Sequence, residues 1–205
     1  AVRDEVDDAV VHPAQEVVDR CFRIPGIDDV VVAMPDSDES QNLIAPFTDL
    51  ARRYYGPELD VLARFYGAAK WALADIVVRV TSDCPLIDSI LCGQVIRHRE
   101  QHGQNYSYNN MPVMRGGLGW GKTGTFPQGL DCEVFTFAAL KWHHENNDDP
   151  MAREHVTHGL RNAALGSDQP MNPAGDHTHL RWTLDTIDDY RTICEVFAEA
   201  KRGAA

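Results

Sequence analysis

The sequence has no run of basic residues and no long apolar segment. Its 205 residues include 19 Lys and Arg against 31 Asp and Glu, which gives a formal net charge of −12 with His neutral. A surface that binds nucleic acid or an anionic membrane needs a dense basic patch, so this composition argues against both partners. The longest apolar stretches, such as residues 30–34, are far shorter than the roughly 20 residues that span a bilayer.

Cysteine is scarce and scattered. The five cysteines are odd in number and form no CxxC pair, which argues against a disulfide framework and against a structural zinc site. The first ten residues carry Asp4, Glu5, Asp7 and Asp8 and lack the apolar core of a signal peptide. We therefore expect a protein of the reducing cytoplasm.

Short apolar segments alternate with amphipathic ones along the chain. Continuous apolar runs at residues 29–34 and 75–80 predict buried strands, and residues 180–184 predict a last strand. Helical spacing of apolar side chains predicts helices between the strands, including one over residues 39–53 and one that Asp88 caps. This alternation predicts an α/β fold, a three-layer sandwich with a mostly parallel sheet.

The chain length predicts a single domain over residues 1–205. Six glycines fall within residues 109–130, which we expect to form an inserted loop or flap. Thr186 is expected to cap the closing helix.

Two aspartates follow predicted strands closely. Asp83 lies three residues after the second buried strand, and Asp185 comes immediately after the last one. Ligands of open α/β sheets bind beyond the carboxyl ends of strands, so these carboxylates could converge on one Mg²⁺, whose coordination phosphate oxygens usually complete. The alternative is that each aspartate only caps the following helix, although Asp88 and Thr186 are also available as caps.

Residues 116–123 match the GxxxxGK[ST] pattern of phosphate-binding loops. The pattern binds phosphate only where a strand precedes it and a helix follows. The preceding segment is polar and contains proline, and residues 124–129 cannot begin a helix. A kinase built on this loop is therefore an alternative function that the local context disfavours.

Four segments carry specific motifs. Residues 78–88 read VRVTSDCPLID, residues 126–135 read FPQGLDCEVF, residues 153–157 read REHVT, and residues 179–186 read HLRWTLDT. In this order they resemble motifs of the SpsF-like cytidylyltransferases, the spore-coat-polysaccharide relatives of acylneuraminate and 3-deoxy-manno-octulosonate cytidylyltransferases. The resemblance covers nearly the whole chain from about residue 12.

This resemblance implies a nucleotide-diphospho-sugar transferase fold of the glycosyltransferase-A type. It implies Mg²⁺-dependent transfer of CMP from CTP to an acidic sugar, with release of pyrophosphate, for surface polysaccharide or glycan biosynthesis, by a protein that we expect to be a homodimer. Asp83 and Asp185 match the family's metal-binding, catalytic acids. The substrate-binding residues would be Arg79, Ser82, Asn109, Gln128, Asp131, Glu133, Arg153, Glu154, His155 and Arg181.

The chain departs from the family at two places. The family opens with a strand and a QARxxSxRLPGK motif that holds the triphosphate, and residues 1–8 read AVRDEVDD instead. A second deficit falls at residues 53–56, where the relatives carry a short strand. Either the protein is a degenerate homologue that binds a sugar or a nucleotide without turnover, or the sequence omits residues. The hydrogen bonding of a central strand favours omission, so we expect interruptions within residues 1–13 and 51–57.

Overall fold

The computed structural model describes residues 12–44, 51–114, 120–163 and 170–203. The helices are α1 (Pro13–Cys21), α2 (Asp38–Ile44), α3 (Val61–Ala72), α4 (Ser89–His102), α5 (Phe137–Asn146), α6 (Pro150–His155), α7 (His158–Ala163) and α8 (Ile187–Gly203). The strands are β1 (Val31–Pro35), β2 (Arg52–Gly56), β3 (Ile76–Arg79), β4 (Tyr106–Tyr108), β5 (Met111–Met114), β6 (Trp120–Thr123) and β7 (Glu133–Thr136).

Strand β7 lies between β3 and β4 and runs antiparallel to both, so β3 and β4 point in the same direction. Strands β1 and β2 form a parallel pair. The predicted α/β class with a parallel sheet is confirmed. β5 and β6 form an antiparallel hairpin within the glycine-rich segment that the sequence predicts to be a loop or flap.

Alternate side chains of β7 face two different hydrophobic clusters. Phe135 packs with side chains of α3, α5 and α7, whereas Val134 packs with side chains of α4 and of the loop after α1. Both side chains are completely buried. Helices therefore cover both faces of the sheet, which is the predicted three-layer arrangement.

Local capping follows the sequence in two places. The carboxylate of Asp88 accepts a hydrogen bond from the Leu91 amide at the start of α4, at 2.8 Å. The hydroxyl of Thr186 accepts one from the Asp189 amide at the start of α8, at 3.2 Å. Both predicted N-caps are confirmed.

Two predicted elements are wrong. The helix expected over residues 39–53 ends at Ile44, and residues 52–56, where we expected an interruption, form β2 in unbroken register with β1. The strand expected over residues 180–184 is reduced to one bridge between Gln128 and Arg181. The other expected interruption, within residues 1–13, falls mostly on residues 1–11, which lie outside the described residues. Residues 45–50 of the expected helix also lie outside them.

The phosphate-loop alternative is also wrong. Lys122 and Thr123 lie on β6, and no helix follows them over residues 124–130. The glycines at 116, 117 and 119 lie outside the described residues. Among the helices of the described segments, none is long and apolar enough to cross a membrane.

Candidate active site

The candidate site lies where β3 ends and β7 begins. Arg79, the last residue of β3, is opposite Glu133, the first residue of β7, because the two strands are antiparallel. The segments just beyond them, with Asp83 after β3 and Asp131 before β7, therefore project past the same edge of the sheet. Ser82 is exposed at this edge.

A third segment is hydrogen-bonded to this edge. The Leu184 amide donates to the carbonyl of Asp83 at 2.8 Å, which sets Asp185 beside Asp83. The backbone of Gln128 accepts from the Trp182 amide at 2.7 Å and donates to the Leu180 carbonyl at 3.0 Å. The backbone of residues 180–184 thus joins the segment before β7 to the segment after β3.

Gly129 permits this close approach. Its φ is +98°, and a Cβ atom there would lie 2.5 Å from the carbonyl carbon of Trp182. No other residue fits both the backbone conformation and the space. The glycine of the FPQGLD motif is thus explained by the packing of Trp182 against it.

Asp185 is exposed, and its Oδ2 accepts hydrogen bonds from Arg181 Nη2 at 2.5 Å and Thr183 Oγ1 at 2.9 Å. Arg181 also donates to both carboxylate oxygens of Asp189, at 2.6 and 2.9 Å. Asp189 in turn accepts from the amides of Asp185 and Thr186. The start of α8 is therefore capped by Asp189 and Thr186, and Asp185 has no capping role.

Asp83 has no capping role either, since Asp88 supplies the cap of α4. The contact made by the Asp83 carboxylate is a weak one of 3.6 Å from the Cys84 thiol. The alternative that these two acids only cap helices is therefore wrong. Both lie at the edge of the sheet, Asp185 in an exposed ion pair with Arg181.

Their chemistry fits a magnesium ion. Carboxylate oxygens are hard donors, and Mg²⁺ in proteins is usually held by one or two carboxylates, with waters and substrate phosphates completing the shell. Within the described segments, no group of three or more His, Cys, Asp or Glu side chains could hold a metal ion by itself. Asp83 and Asp185 would therefore supply a partial site that substrate oxygens complete.

Glu133 occupies a different environment, since only 3% of it is exposed. Its carboxylate accepts from Arg79 at 2.5 Å, Tyr106 at 2.6 Å, Thr157 at 2.7 Å and Arg161 at 2.9 Å. Burial raises the pKa of Glu133, but the two guanidinium charges and the hydroxyl hydrogen bonds outweigh it and hold the pKa at about 2. We call these five side chains the Glu133 network.

The family resemblance assigns Arg79 and Glu133 to substrate binding, whereas in the structure they bond to each other. Glu133 is enclosed by its four partners, so its role here is to join β3, β4, β7 and α7. Arg161 was missed from the sequence. The sequence feature that could have identified Arg161 is its position four residues after Thr157. This spacing places both side chains on one face of a helical turn.

Asn109 is fully buried, and both of its polar groups bond to backbone. Its Nδ2 donates to the Leu130 carbonyl at 2.6 Å, and its Oδ1 accepts from the Cys132 amide at 2.8 Å. The predicted substrate residue therefore holds the loop before β7. Its neighbour Asn110, which the sequence analysis missed, donates to Asp131 Oδ1 at 3.0 Å and fixes that carboxylate at the edge.

Arg153 of the REHVT motif is held by three groups. It donates to the carboxylate of Asp60, to the carbonyl of His144 at 3.0 Å and to that of Asn147 at 3.4 Å. Glu154 and His155 are exposed. The structure thus separates the start of the motif into a half-buried anchor, Arg153, and two exposed side chains.

Val156, the next residue, has φ +54° and ψ −58°, and it is fully buried. A β-branched residue rarely adopts a positive φ, and a backbone held in such a region costs on the order of 1–3 kcal/mol. The Thr157 amide donates to the carbonyl of His155 at 2.5 Å, which closes a three-residue γ-turn.

A cleft of about 370 Å³ lies beside residues 180–184. Its walls are mainly apolar and include Leu91, Phe126, Leu180 and Trp182. Asp88 is the charged residue that lines it, together with the imidazole of His177. Such a cleft suits an uncharged part of a ligand rather than a phosphate or a carboxylate.

Solved structures of other proteins share the fold of this chain. A cytidylyltransferase from Leptospira borgpetersenii serovar Hardjo-bovis superposes with a TM-score of 0.77 at 24% identity, over 92% of this chain and 76% of that one. A CMP:2-keto-3-deoxy-manno-octonic acid synthetase solved with CTP gives 0.64 at 13% identity, over 94% of this chain and 90% of that one. A 4-diphosphocytidyl-2C-methyl-D-erythritol synthase gives 0.59 at 14% identity, over 94% and 93%.

An uncharacterized protein of Methanocaldococcus jannaschii is 28% identical over 184 residues, which cover 88% of this chain and 70% of that protein. The structural likenesses show that the chain shares the α/β fold of these proteins. The sequence model of the cytidylyltransferase family matches residues 14–166. The chain belongs to that family.

Proposed function

We propose that the protein is an SpsF-like, Mg²⁺-dependent enzyme that transfers CMP from CTP to a hydroxyl of an acidic sugar. The observation that carries the proposal is the backbone hydrogen bond from Leu184 to Asp83. It brings the segments of Asp83 and Asp185 together at one sheet edge, where neither aspartate caps a helix. Membership of the cytidylyltransferase family supports it.

In the proposed reaction the sugar hydroxyl oxygen attacks the α-phosphorus of CTP. The bond between that phosphorus and the bridging oxygen breaks, pyrophosphate leaves, and the hydroxyl proton passes to solvent. A bound Mg²⁺ supplies positive charge to the phosphate oxygens as charge develops on them. Asp83 and Asp185 are the residues that would hold it.

The acceptor side is assigned to Arg181 and the adjoining cleft. A guanidinium recognises a carboxylate through parallel hydrogen bonds, and the Arg181 fork already donates to Asp189 and Asp185. An acceptor carboxylate would therefore bind Arg181 by exchanging with the exposed carboxylate of Asp185. Trp182 follows Arg181 and lines the cleft, so the uncharged part of a sugar acid would extend there. Ser82, Gln128, Asp131, Glu154 and His155 complete the acceptor side in this proposal.

A second candidate is a homologue that binds a sugar or nucleotide without turnover. The engagement of Arg79 and Glu133 in a buried network favours it, because it removes two side chains that the family resemblance assigns to substrate. The two candidates differ in one measurable property, the release of pyrophosphate. We further infer a homodimer of the cytoplasm that serves surface polysaccharide or glycan biosynthesis, on the family resemblance.

The test is a panel of nucleoside triphosphates and acidic sugars, scored by pyrophosphate release with and without Mg²⁺. We expect release with CTP and one class of sugar acid, and its loss in Asp83→Asn. Asp188→Asn is the matched control, since Asp188 is an exposed aspartate of α8 that pairs with Arg191. Binding of CTP or a sugar acid without release by the wild type would establish the second candidate instead.

A further inference from the structure

Two described residues other than glycine have a positive φ, and they lie at opposite ends of β3. Leu73 precedes β3, is 88% exposed and ends α3 in an ordinary left-handed conformation. Val156 lies in the turn whose next residue, Thr157, bonds to Glu133 opposite the end of β3. The unusual backbone of Val156 is therefore at the candidate site, and that of Leu73 is not.

The γ-turn at Val156 is held from both sides. On one side Arg153 is bonded to Asp60 and to two carbonyl groups. On the other side Thr157 donates its hydroxyl proton to Glu133, and the Val156 side chain packs in the cluster with Leu140. Fixed anchors on both flanks over-determine the strained residue, which is the condition under which strain persists.

The turn divides the motif by environment. Glu154 and His155, before the turn, are exposed, whereas Val156 and Thr157 are completely buried. A helical continuation of α6 would instead rotate successive side chains by a constant angle. The sharp turn thus allows α6 to end with two polar side chains outward while the next two residues enter the core.

Resting on the proposed function, we propose that the strained γ-turn at Val156 is a positioning device that fixes Glu154 and His155 for the acceptor sugar. Val156 touches no substrate and acts through the backbone of His155. The Thr157–Glu133 bond is the part of the Glu133 network that holds the device. Relaxing the turn will disturb acceptor binding without disturbing CTP.

The first experiment compares Val156→Gly with Val156→Ala. Both remove the two buried γ-methyl groups, but only glycine accepts a positive φ without strain. At an ordinary position glycine destabilises a protein relative to alanine, so we expect the reverse order here, with Val156→Gly melting above Val156→Ala. Leu73→Gly and Leu73→Ala are the matched controls at the other end of β3.

Kinetics then separate positioning from stability. We expect the kcat/KM for the acceptor to fall roughly 10- to 100-fold in Val156→Gly, with the KM for CTP unchanged, because small misplacements of binding groups have effects of this size. Val156→Ala, which keeps the backbone constrained, should lose much less. The Leu73 variants should match the wild type in both constants.

Thr157→Val and Thr157→Ser test the anchor without touching Val156. Serine keeps the hydroxyl bonded to Glu133 and should keep the acceptor KM, whereas valine should raise it. Equal acceptor constants in the glycine and alanine variants at Val156, or in the two Thr157 variants, would overturn the positioning role. A lower melting temperature for Val156→Gly than for Val156→Ala would contradict the claim that the backbone of Val156 is strained.

Binding of 2-keto-3-deoxy-manno-octonate and of CTP, measured by calorimetry, keeps this inference separate from the proposed function. In one outcome the wild type shows no turnover, and sugar binding is weaker in Val156→Gly but not in Val156→Ala. That result would overturn the proposed activity and support the positioning role. Turnover by the wild type together with identical sugar binding in both variants would support the proposed activity and overturn the positioning role. A wild type that neither reacts nor binds a sugar acid overturns both.

Discussion

The same chemical pair, arginine with a carboxylate, occurs twice at one edge of the sheet in opposite surroundings. In the Glu133 network the side chains are 4% exposed for Glu133, 16% for Arg79 and 11% for Arg161. In the cluster of Arg181 with Asp185 and Asp189, Arg181 is 42% exposed and Asp185 is 52% exposed. The groups of the first cluster have lost most of their contact with water. In the second cluster Arg181 and Asp185 keep that contact, whereas Asp189 is 15% exposed, about as much as Arg79.

This difference in exposure gives the two clusters different roles. Charges removed from water must be paired, and breaking such a pair is costly, so the Glu133 network fixes the relative positions of β3, β7 and α7. An exposed ion pair contributes little to stability because solvent screens it. Asp185 can therefore exchange Arg181 for another positive group, so the function proposed above assigns the chemistry to the exposed cluster.

The largest effect is expected from Glu133→Gln. It leaves the guanidinium groups of Arg79 and Arg161 in a buried site without a counter-charge, which should lower the free energy of unfolding by about 3–5 kcal/mol. Urea denaturation at neutral pH measures it, with Asp188→Asn as the control. A loss below about 1 kcal/mol, the range of an exposed pair, would remove the distinction between the clusters.

Acid should have a similar effect on the wild type. The folded pKa of Glu133, about 2, lies below the ordinary value of 4.5. A group with a depressed folded pKa contributes its stabilisation fully above the unfolded pKa and loses it as the pH falls towards the folded value. The shift corresponds to ~3 kcal/mol.

Denaturation of the wild type and of Glu133→Gln should therefore differ most at neutral pH and converge as the pH falls from about 4.5 towards 2. The variant has no carboxylate at this position, so it isolates the contribution of Glu133 from that of other acids. A difference that stays constant across this range would show that Glu133 keeps its ordinary pKa in the folded protein.

The exposed cluster should respond in activity rather than in stability. Asp185→Asn removes a negative charge at the proposed metal site, so pyrophosphate release should fall by at least about 100-fold. The free energy of unfolding should change by no more than about 0.5 kcal/mol, since the side chain is exposed and caps no helix. A variant that unfolds easily but reacts normally would reverse the assignment.

Much of the fold followed from the sequence because its signals are local. The apolar run before Asp83, which predicts β3, and the helix caps at Asp88 and Thr186 depend on neighbouring residues. The structure confirms all three. β2 was missed because its sequence, RRYYG, is polar and has no apolar run typical of a buried strand. It forms a strand through its pairing with β1, which is a tertiary contact. Residues 180–184 look like a strand, but their backbone bonds go to separate loops.

Burial was the property that the sequence could not assign. Glu133 lies in a motif with Asp131, and both carboxylates alternate with apolar residues as on a half-exposed strand. Only the tertiary arrangement of Tyr106, Thr157 and Arg161 encloses one and leaves the other at the edge. The strained backbone of Val156 was also invisible, because valine is a residue that a positive φ disfavours.

The smallest effect is expected from Asp189→Asn. It removes one charge from the exposed cluster and leaves the Asp185 carboxylate in place, although the Asp189 side chain also accepts from the Asp185 amide at 3.0 Å. The pKa of Asp189 is lowered chiefly by its hydrogen bonds from Arg181, so it is the ionised carboxylate that holds this guanidinium. Thr186 remains the N-cap, and the side-chain oxygen of asparagine can still accept from the Asp185 and Thr186 amides. The start of α8 should therefore be kept, and stability should change by less than about 1 kcal/mol.

Without the charge of Asp189, the Arg181 fork has Asp185 as its remaining carboxylate and should hold it more firmly. Loss of such a supporting partner weakens metal binding on the order of 10-fold, which titration with Mn²⁺ as a paramagnetic probe would measure without turnover. Asp188→Asn, one residue earlier on the same helix, should bind Mn²⁺ as the wild type does. Unchanged Mn²⁺ affinity in Asp189→Asn would show that Arg181 does not compete for Asp185, and that the two acids are positioned independently of their arginine.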